Sequence, residues 1–217
     1  MRKIGLILTG LMIYSLTFGQ ILKVQVGTSI SQLDWKFKGI NIDPLYDKML
    51  TSYSVLAGLD YMDKKYINIS SNVGIIRKGG KSETKLVDQS GLYTGETIVE
   101  KPTLDYLSIN TTIDLKYKIK EAFSPFVSFG PRFDYLINSS KYFDNLKDLN
   151  ELKSTSIGLI LGGGFKYDMS KIQLGLRADY YLDFTKIADW TIAQSSRGGE
   201  VTVKTFTINL TIGYKLK

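Results

Sequence analysis

The chain has 217 residues, no cysteine, no histidine and a formal charge of +7. Those counts exclude disulfides, thiolate metal sites, a lipid-modified N-terminal cysteine and chemistry that uses imidazole as a general base. A mean hydropathy of −0.04 and a pI near 9.3 would suit a basic soluble protein, so any membrane character must lie in the order of the residues.

Met1-Arg2-Lys3 leads into an apolar run from Ile4 to Phe18 that is interrupted by Thr9, Gly10 and Ser15. A charged start and a short oily core predict a secretory leader over 1–19 with cleavage before Gln20. The run is too short for a membrane-spanning helix, which needs ~20 residues. Loss of Arg2 and Lys3 with the leader lowers the charge to +5. An exported protein does not meet nucleic acid, so acidic lipid headgroups are the expected counterpart of that charge. The remaining 20–217 has the length of one domain.

From Leu22 to Ser31, residues Leu22, Val24, Val26, Thr28 and Ile30 alternate with Lys23, Gln25, Gly27, Ser29 and Ser31. That is a strand with one oily and one wet face. A long connection follows, Trp35 to Met49. The second strand presents Tyr53, Val55, Ala57, Leu59 and Tyr61, turns at Asp63-Lys64-Lys65, and returns as a third with Ile67, Ile69, Val73 and Ile75. A long Gly-, Ser- and Thr-rich connection, Arg77 to Lys101, precedes a fourth strand on Leu107, Ile109, Ile113, Leu115 and Tyr117. A short turn at Lys120-Glu121 leads to a fifth with Val127, Phe129, Phe133 and Tyr135. After a loop from Asn138 to Lys153, strands at Thr155 to Tyr167 and Ile172 to Asp183 flank the Asp168-Met169-Ser170-Lys171 turn. The last loop, Thr185 to Glu200, precedes a strand with Phe206, Ile208, Leu210, Ile212, Tyr214 and Leu216 on one face.

Eight alternating strands joined by four long and three short connections predict an all-β fold: an eight-stranded antiparallel up-and-down transmembrane β-barrel of the bacterial outer membrane. A lysine or arginine facing lipid at the bilayer midplane costs about 2–4 kcal/mol. The face with Asp60, Asp114, Lys116, Arg132, Asp134, Lys166, Arg177 and Asp179 is therefore expected to turn inward as a structural charge network. Eight strands enclose little more than their own side chains, so these charges should plug the lumen. A soluble barrel would need the oily face inside, which these charges oppose. Trp35, Tyr53, Tyr61, Tyr66, Tyr106, Tyr117, Tyr135, Tyr167, Tyr180 and Tyr214 are expected to form interfacial girdles. Lys64, Lys65, Lys118, Lys120, Lys171 and Lys217 gather at the periplasmic end.

No residue set specifies a reaction. Gly80-Lys81-Ser82 lacks the earlier glycine and the following helix of a phosphate loop. Gly162-Gly163-Gly164 lacks dinucleotide spacing and reads as room for close packing or a bend within a strand. The inward carboxylates suit salt bridges better than acid-base work beside Arg132 and Arg177. Catalytic, cofactor and metal sites are accordingly expected to be absent. Phe143, Leu146, Leu149 and Leu152 recur at helical spacing, and with Trp190 they form a candidate partner surface; a cap over the barrel mouth is the other reading of that loop.

Five segments resemble the outer-membrane barrels of Bacteroidetes that include PorT-like proteins, an OmpA-like eight-stranded architecture. They are Val73-Gly74-Ile75-Ile76-Arg77-Lys78-Gly79-Gly80-Lys81, Leu104-Asp105-Tyr106-Leu107-Ser108-Ile109, Pro125-Phe126-Val127-Ser128-Phe129-Gly130-Pro131, Gly175-Leu176-Arg177-Ala178-Asp179-Tyr180 and Ile212-Gly213-Tyr214-Lys215-Leu216. Two features depart from the pattern: Ser108-Ile109-Asn110 replaces an isoleucine-proline-leucine type segment, and Lys217 stands where an aromatic residue is usual. The resemblance implies fold and location, and one branch of the family serves type IX secretion. The expected role is a monomeric, non-enzymatic barrel that is structural or binds envelope or secretion proteins through its long loops. A secretion accessory, a narrow pore and a lipid-modifying enzyme are the alternatives.

Overall fold

The structure, a computed structural model, describes residues 21–39, 45–119, 122–191 and 198–216. The expected leader, the Lys120-Glu121 turn and Lys217 lie outside these residues. Among the described residues there are eleven strands: β1 (Ile21–Lys38), β2 (Leu50–Asp63), β3 (Ile67–Gly79), β4 (Ser82–Val87), β5 (Tyr93–Glu100), β6 (Thr103–Lys116), β7 (Phe123–Ser139), β8 (Thr155–Asp168), β9 (Ile172–Asp183), β10 (Ala188–Thr191) and β11 (Gly198–Lys215). A 3-10 turn at Lys141–Phe143 runs into one short helix, α1 (Asp144–Asp148).

Eight of the strands, β1, β2, β3, β6, β7, β8, β9 and β11, pair antiparallel with their neighbours in order. β1 closes the ring on β11 from Ile21↔Lys215 to Lys38↔Gly198. Closure leaves the eight-stranded wall without a free edge, as a sheet in lipid requires. Leu22, Val26, Val55, Val127, Leu161 and Leu210 point outward and are exposed, whereas Gln25, Asn72, Asn110, Thr207 and Asn209 point inward and are buried. The fold is thus inverted relative to a soluble barrel. Its exposed aliphatic band fits hydrocarbon, and its polar residues fill the axis.

The strands outrun the 9–11 or so residues that cross a bilayer. At the end of the short turns, the outer wall carries Tyr66, Tyr117, Tyr167 and Tyr214; toward the other end it carries Tyr53, Tyr135 and Tyr180. Barrels of this class keep short turns in the periplasm and long loops outside, so the surplus length stands on the extracellular side. Tyr106 is a correction to the expected girdle, because its row faces inward and it is 1% exposed. Trp35 is another: β1 continues through it, and it packs in the cap.

The connection from Arg77 to Lys101 is largely ordered. β4 and β5 pair as a hairpin that prolongs β3 and β6 outward. Asp88 caps its tip by accepting hydrogen bonds from the Ser90 and Leu92 amides. The final connection likewise contains β10, which pairs with β11 above the point where β9 ends.

Candidate functional site: a filled lumen under an apolar cap

The inward rows of the strands divide the barrel axis into tiers. Along β9 the order is Arg177, Asp179, Tyr181, Asp183, and along β3 it is Asn72, Ile76, Lys78. Ions therefore alternate with apolar side chains from the periplasmic end upward.

In the lower tier Lys23 reaches Asp60 at 2.6 Å, and Lys166 bridges Asp114 at 2.8 Å and Asp60 at 3.5 Å. Arg177 bonds Asp179 at 2.6 Å, approaches Asp114 at 3.3 Å and donates to Ser128 Oγ. Three cations thus meet three carboxylates, with Asn68 donating to Asp114. Phe126 lies under both Lys166 and Arg177, 5.2 and 5.8 Å from its ring centre, and shields them on one side. The enclosed space beside Lys23, Phe126 and Arg177 measures about 10 Å³, room for a single water.

Leu56, Ile76, Ile160 and Tyr181 form a small apolar layer. The upper ion tier follows. Lys78 bonds Asp134 at 2.7 Å and faces Asp183 at 3.8 Å, while Arg132 pairs with the same two carboxylates. Tyr181 and Tyr106 supply ring faces to Arg132 and Lys78. Two cations meet two carboxylates, so this tier is neutral too. A Gln25-Asn72-Asn110 hydrogen-bonded ladder lines the wall elsewhere.

Above the upper tier the inward rows change character. β1 passes from Ser29 and Ser31 to Leu33, β6 from Ser108 to Tyr106 and Leu104, and β11 from Thr205 to Val203 and Val201. These residues, with Phe143, Ile187 and Ala188, make a buried apolar core at the extracellular end. The loop helix drops onto it. Phe143 is fully buried and stacks on Trp35 at 6.3 Å, and Trp35 meets Trp190 at 6.0 Å.

Of the eight charges expected in the lumen, seven lie in the two tiers. Lys116 does not: it sits at the periplasmic mouth, paired with Asp63. Lys23, Lys78 and Asp183 belong to the tiers and were missed, although Lys23 and Lys78 share the inward parity of their strands and could have been found by it. Of the candidate partner surface, Phe143, Leu146, Leu152 and Trp190 pack in or against the cap, because apolar inward rows offer them a place to bury. Leu149 remains exposed. Among the described residues, no group of acidic side chains has a metal-binding arrangement.

A closed eight-stranded barrel with a polar, filled axis and an aliphatic, tyrosine-edged outer wall is an outer-membrane barrel. The chain belongs to the family described as outer membrane protein beta-barrel domain, whose model matches residues 4–189. Its place is the bacterial outer membrane. It is similar in fold to the outer membrane protein OprG from Pseudomonas aeruginosa, with a TM-score of 0.54, 13% identity, and coverage of 92% of this chain and 96% of that one. Neisserial surface protein A aligns with a TM-score of 0.48 and 10% identity, covering 90% of this chain and 97% of that one. Ail of Yersinia pestis aligns with a TM-score of 0.41 and 13% identity, covering 92% and 100%. No curated protein matches the sequence.

Proposed function

We propose that this protein is a sealed, non-enzymatic barrel that holds a rigid extracellular platform for a partner in the cell envelope. The observation that carries this reading is the filled axis: two neutral ion tiers, separated by an apolar layer and topped by an apolar cap. An ion crossing it would have to break buried pairs and then traverse an apolar layer, the arrangement by which hydrophobic constrictions stop conduction. The absence of histidine and the pairing of Asp60, Asp114, Asp134, Asp179 and Asp183 with lumen cations support a role without catalysis.

The platform consists of the cap and the β4-β5 hairpin, whose Val87, Leu92 and Tyr93 are held exposed at the tip. Because the chain has no cysteine, a photo-crosslinker can be attached to one introduced at Leu92 or Leu149. In intact cells an adduct of discrete mass is expected from at least one of these positions. No adduct from either would leave a stand-alone structural barrel. Service as an accessory of protein secretion is the second reading, favoured by the segments that resemble PorT-like barrels; a secretion defect on deletion would support it.

A further inference from the structure

Resting on the platform proposed above, we infer that the outer edge of β5 accepts an extended, basic segment of a partner protein, which adds to the β4-β5 hairpin as a third strand. The hairpin continues β3 and β6 in one register: Gly79↔Thr103 is followed by Ser82↔Glu100, Glu83↔Val99, Thr84↔Ile98 and Lys85↔Thr97. In an antiparallel ladder, pairs that exchange hydrogen bonds alternate with pairs that do not. The Gly80 amide donates to the Pro102 carbonyl at 3.1 Å, so the exchanging pairs further along are Ser82 with Glu100 and Thr84 with Ile98. Thr97, Val99 and Lys101 therefore turn their N–H and C=O groups away from β4. Just below them Thr103 still has a partner on that side. Its carbonyl accepts from the Ser140 amide at 2.9 Å, and its amide donates to Ser140 Oγ at 3.0 Å. Past Ser140 the chain leaves the wall for the 3-10 turn and α1. The ladder stops there while β5 goes on, and among the described residues no strand or loop backbone pairs with this edge.

Bare edges are usually blunted by lysine or proline within the strand. β5 contains neither, and its Thr97, Ile98 and Val99 are β-branched and exposed. Side chains choose the occupant. Glu96, Ile98 and Glu100 share the face that continues the inward row of β6, and Thr97, Val99 and Lys101 share the other. Glu83 on β4 is taken by Lys48 and Lys81, whereas Glu96 has no ion pair among the described residues. The Tyr46 hydroxyl, not a cation, stands against Glu100. Two carboxylates flanking an isoleucine call for a cation, an apolar residue and a cation at alternate positions of the incoming strand, because opposite charges across a ladder attract and like charges repel. A second copy of this chain in the same membrane would run parallel and, in register, set Glu96 against Glu96 and Lys101 against Lys101. A foreign strand fits the edge better. Main-chain hydrogen bonds to Thr97, Val99 and Lys101 would supply its affinity, and the two glutamates its selectivity.

The test is fluorescence anisotropy of a labelled peptide, in which threonine alternates with lysine, valine and lysine in turn, added to the full-length barrel in phosphatidylcholine nanodiscs. Amide exchange of the hairpin is followed by NMR on the same sample. Saturable binding that slows exchange at Thr97 and Val99 is expected. Val99→Pro removes the central outward N–H and should weaken binding roughly tenfold, whereas Val99→Thr keeps it and should bind as the wild type does. Protection of the Thr84 and Ile98 amides in both variants verifies that the hairpin is intact. No binding, equal binding by Val99→Pro, or equal binding of a peptide with glutamate in place of both lysines would overturn the inference. Adducts at Leu149 in cells alongside such a failure would leave the platform standing, with the cap and not the hairpin edge as its contact.

Discussion

Arg177 is the charge on which the lower tier turns. It is the cation paired with Asp179 and shares Asp114 with Lys166. Substitution by Met leaves a buried carboxylate without its counter-ion, and such a loss costs about 3–5 kcal/mol. Urea unfolding in lipid vesicles should register that loss, and a cost below about 1 kcal/mol would mean that the tier is well hydrated. The glycine run on β8 has its reason here as well. A Cβ on Gly162 would stand 2.1 Å from Asp179 Oδ1 and 2.5 Å from the Ala178 carbonyl oxygen, so a side chain would displace the ion pair. A different charge responds to pH on the extracellular face. Lys48 and Lys81 hold the Glu83 carboxyl down at about 2, against roughly 4.3 for a free glutamate. This tether between β4 and the loop before β2 is therefore at full strength above the free value and is lost as pH falls through the lower one. A carboxyl NMR titration should place the midpoint near 2, and Lys48→Met with Lys81→Met should return it to about 4.

At the scale of elements, alternation alone was enough to locate the barrel strands. β9 spans Ile172–Asp183 as expected, and β8 differs from its expected span by one residue at its end. A residue's face follows from parity, so seven of the eight expected lumen charges could be placed before any fold was known. Lys116 failed because its row leaves the barrel there, a boundary that periodicity does not mark. The loop helix was legible as a cap over the barrel mouth, but the core beneath it was hidden for a different reason. That core joins inward residues of β1, β6 and β11 with a loop helix more than a hundred residues from β1, and only closure of the barrel brings them together. The apolar turn taken by each inward row, at Leu33, Leu104 and Val203, was the available signal. The β4-β5 hairpin was masked by strands that are polar and largely exposed on both faces and so lack alternation. Because Phe143 is fully buried in the cap, Phe143→Ala should cost the cap about 3–5 kcal/mol. Tryptophan emission from Trp35 and Trp190 should shift to the red while the barrel stays folded. Leu149→Ala, at an exposed position, should change neither.

For the whole molecule, the same inversion that suits the barrel to lipid also closes it. Outward aliphatic residues leave the polar ones to fill a narrow axis, where the charges of each tier pair with one another. Extra strand length then builds a small apolar core outside the membrane, where a soluble domain would keep its own. In the proposed reading, a sealed axis and an extracellular platform make the protein a membrane anchor with one presenting face. Single-channel recording of the purified wild-type barrel in a planar bilayer tests this most directly. A flat baseline under applied voltage is the expected result; reproducible ohmic steps from the folded barrel would contradict a sealed lumen.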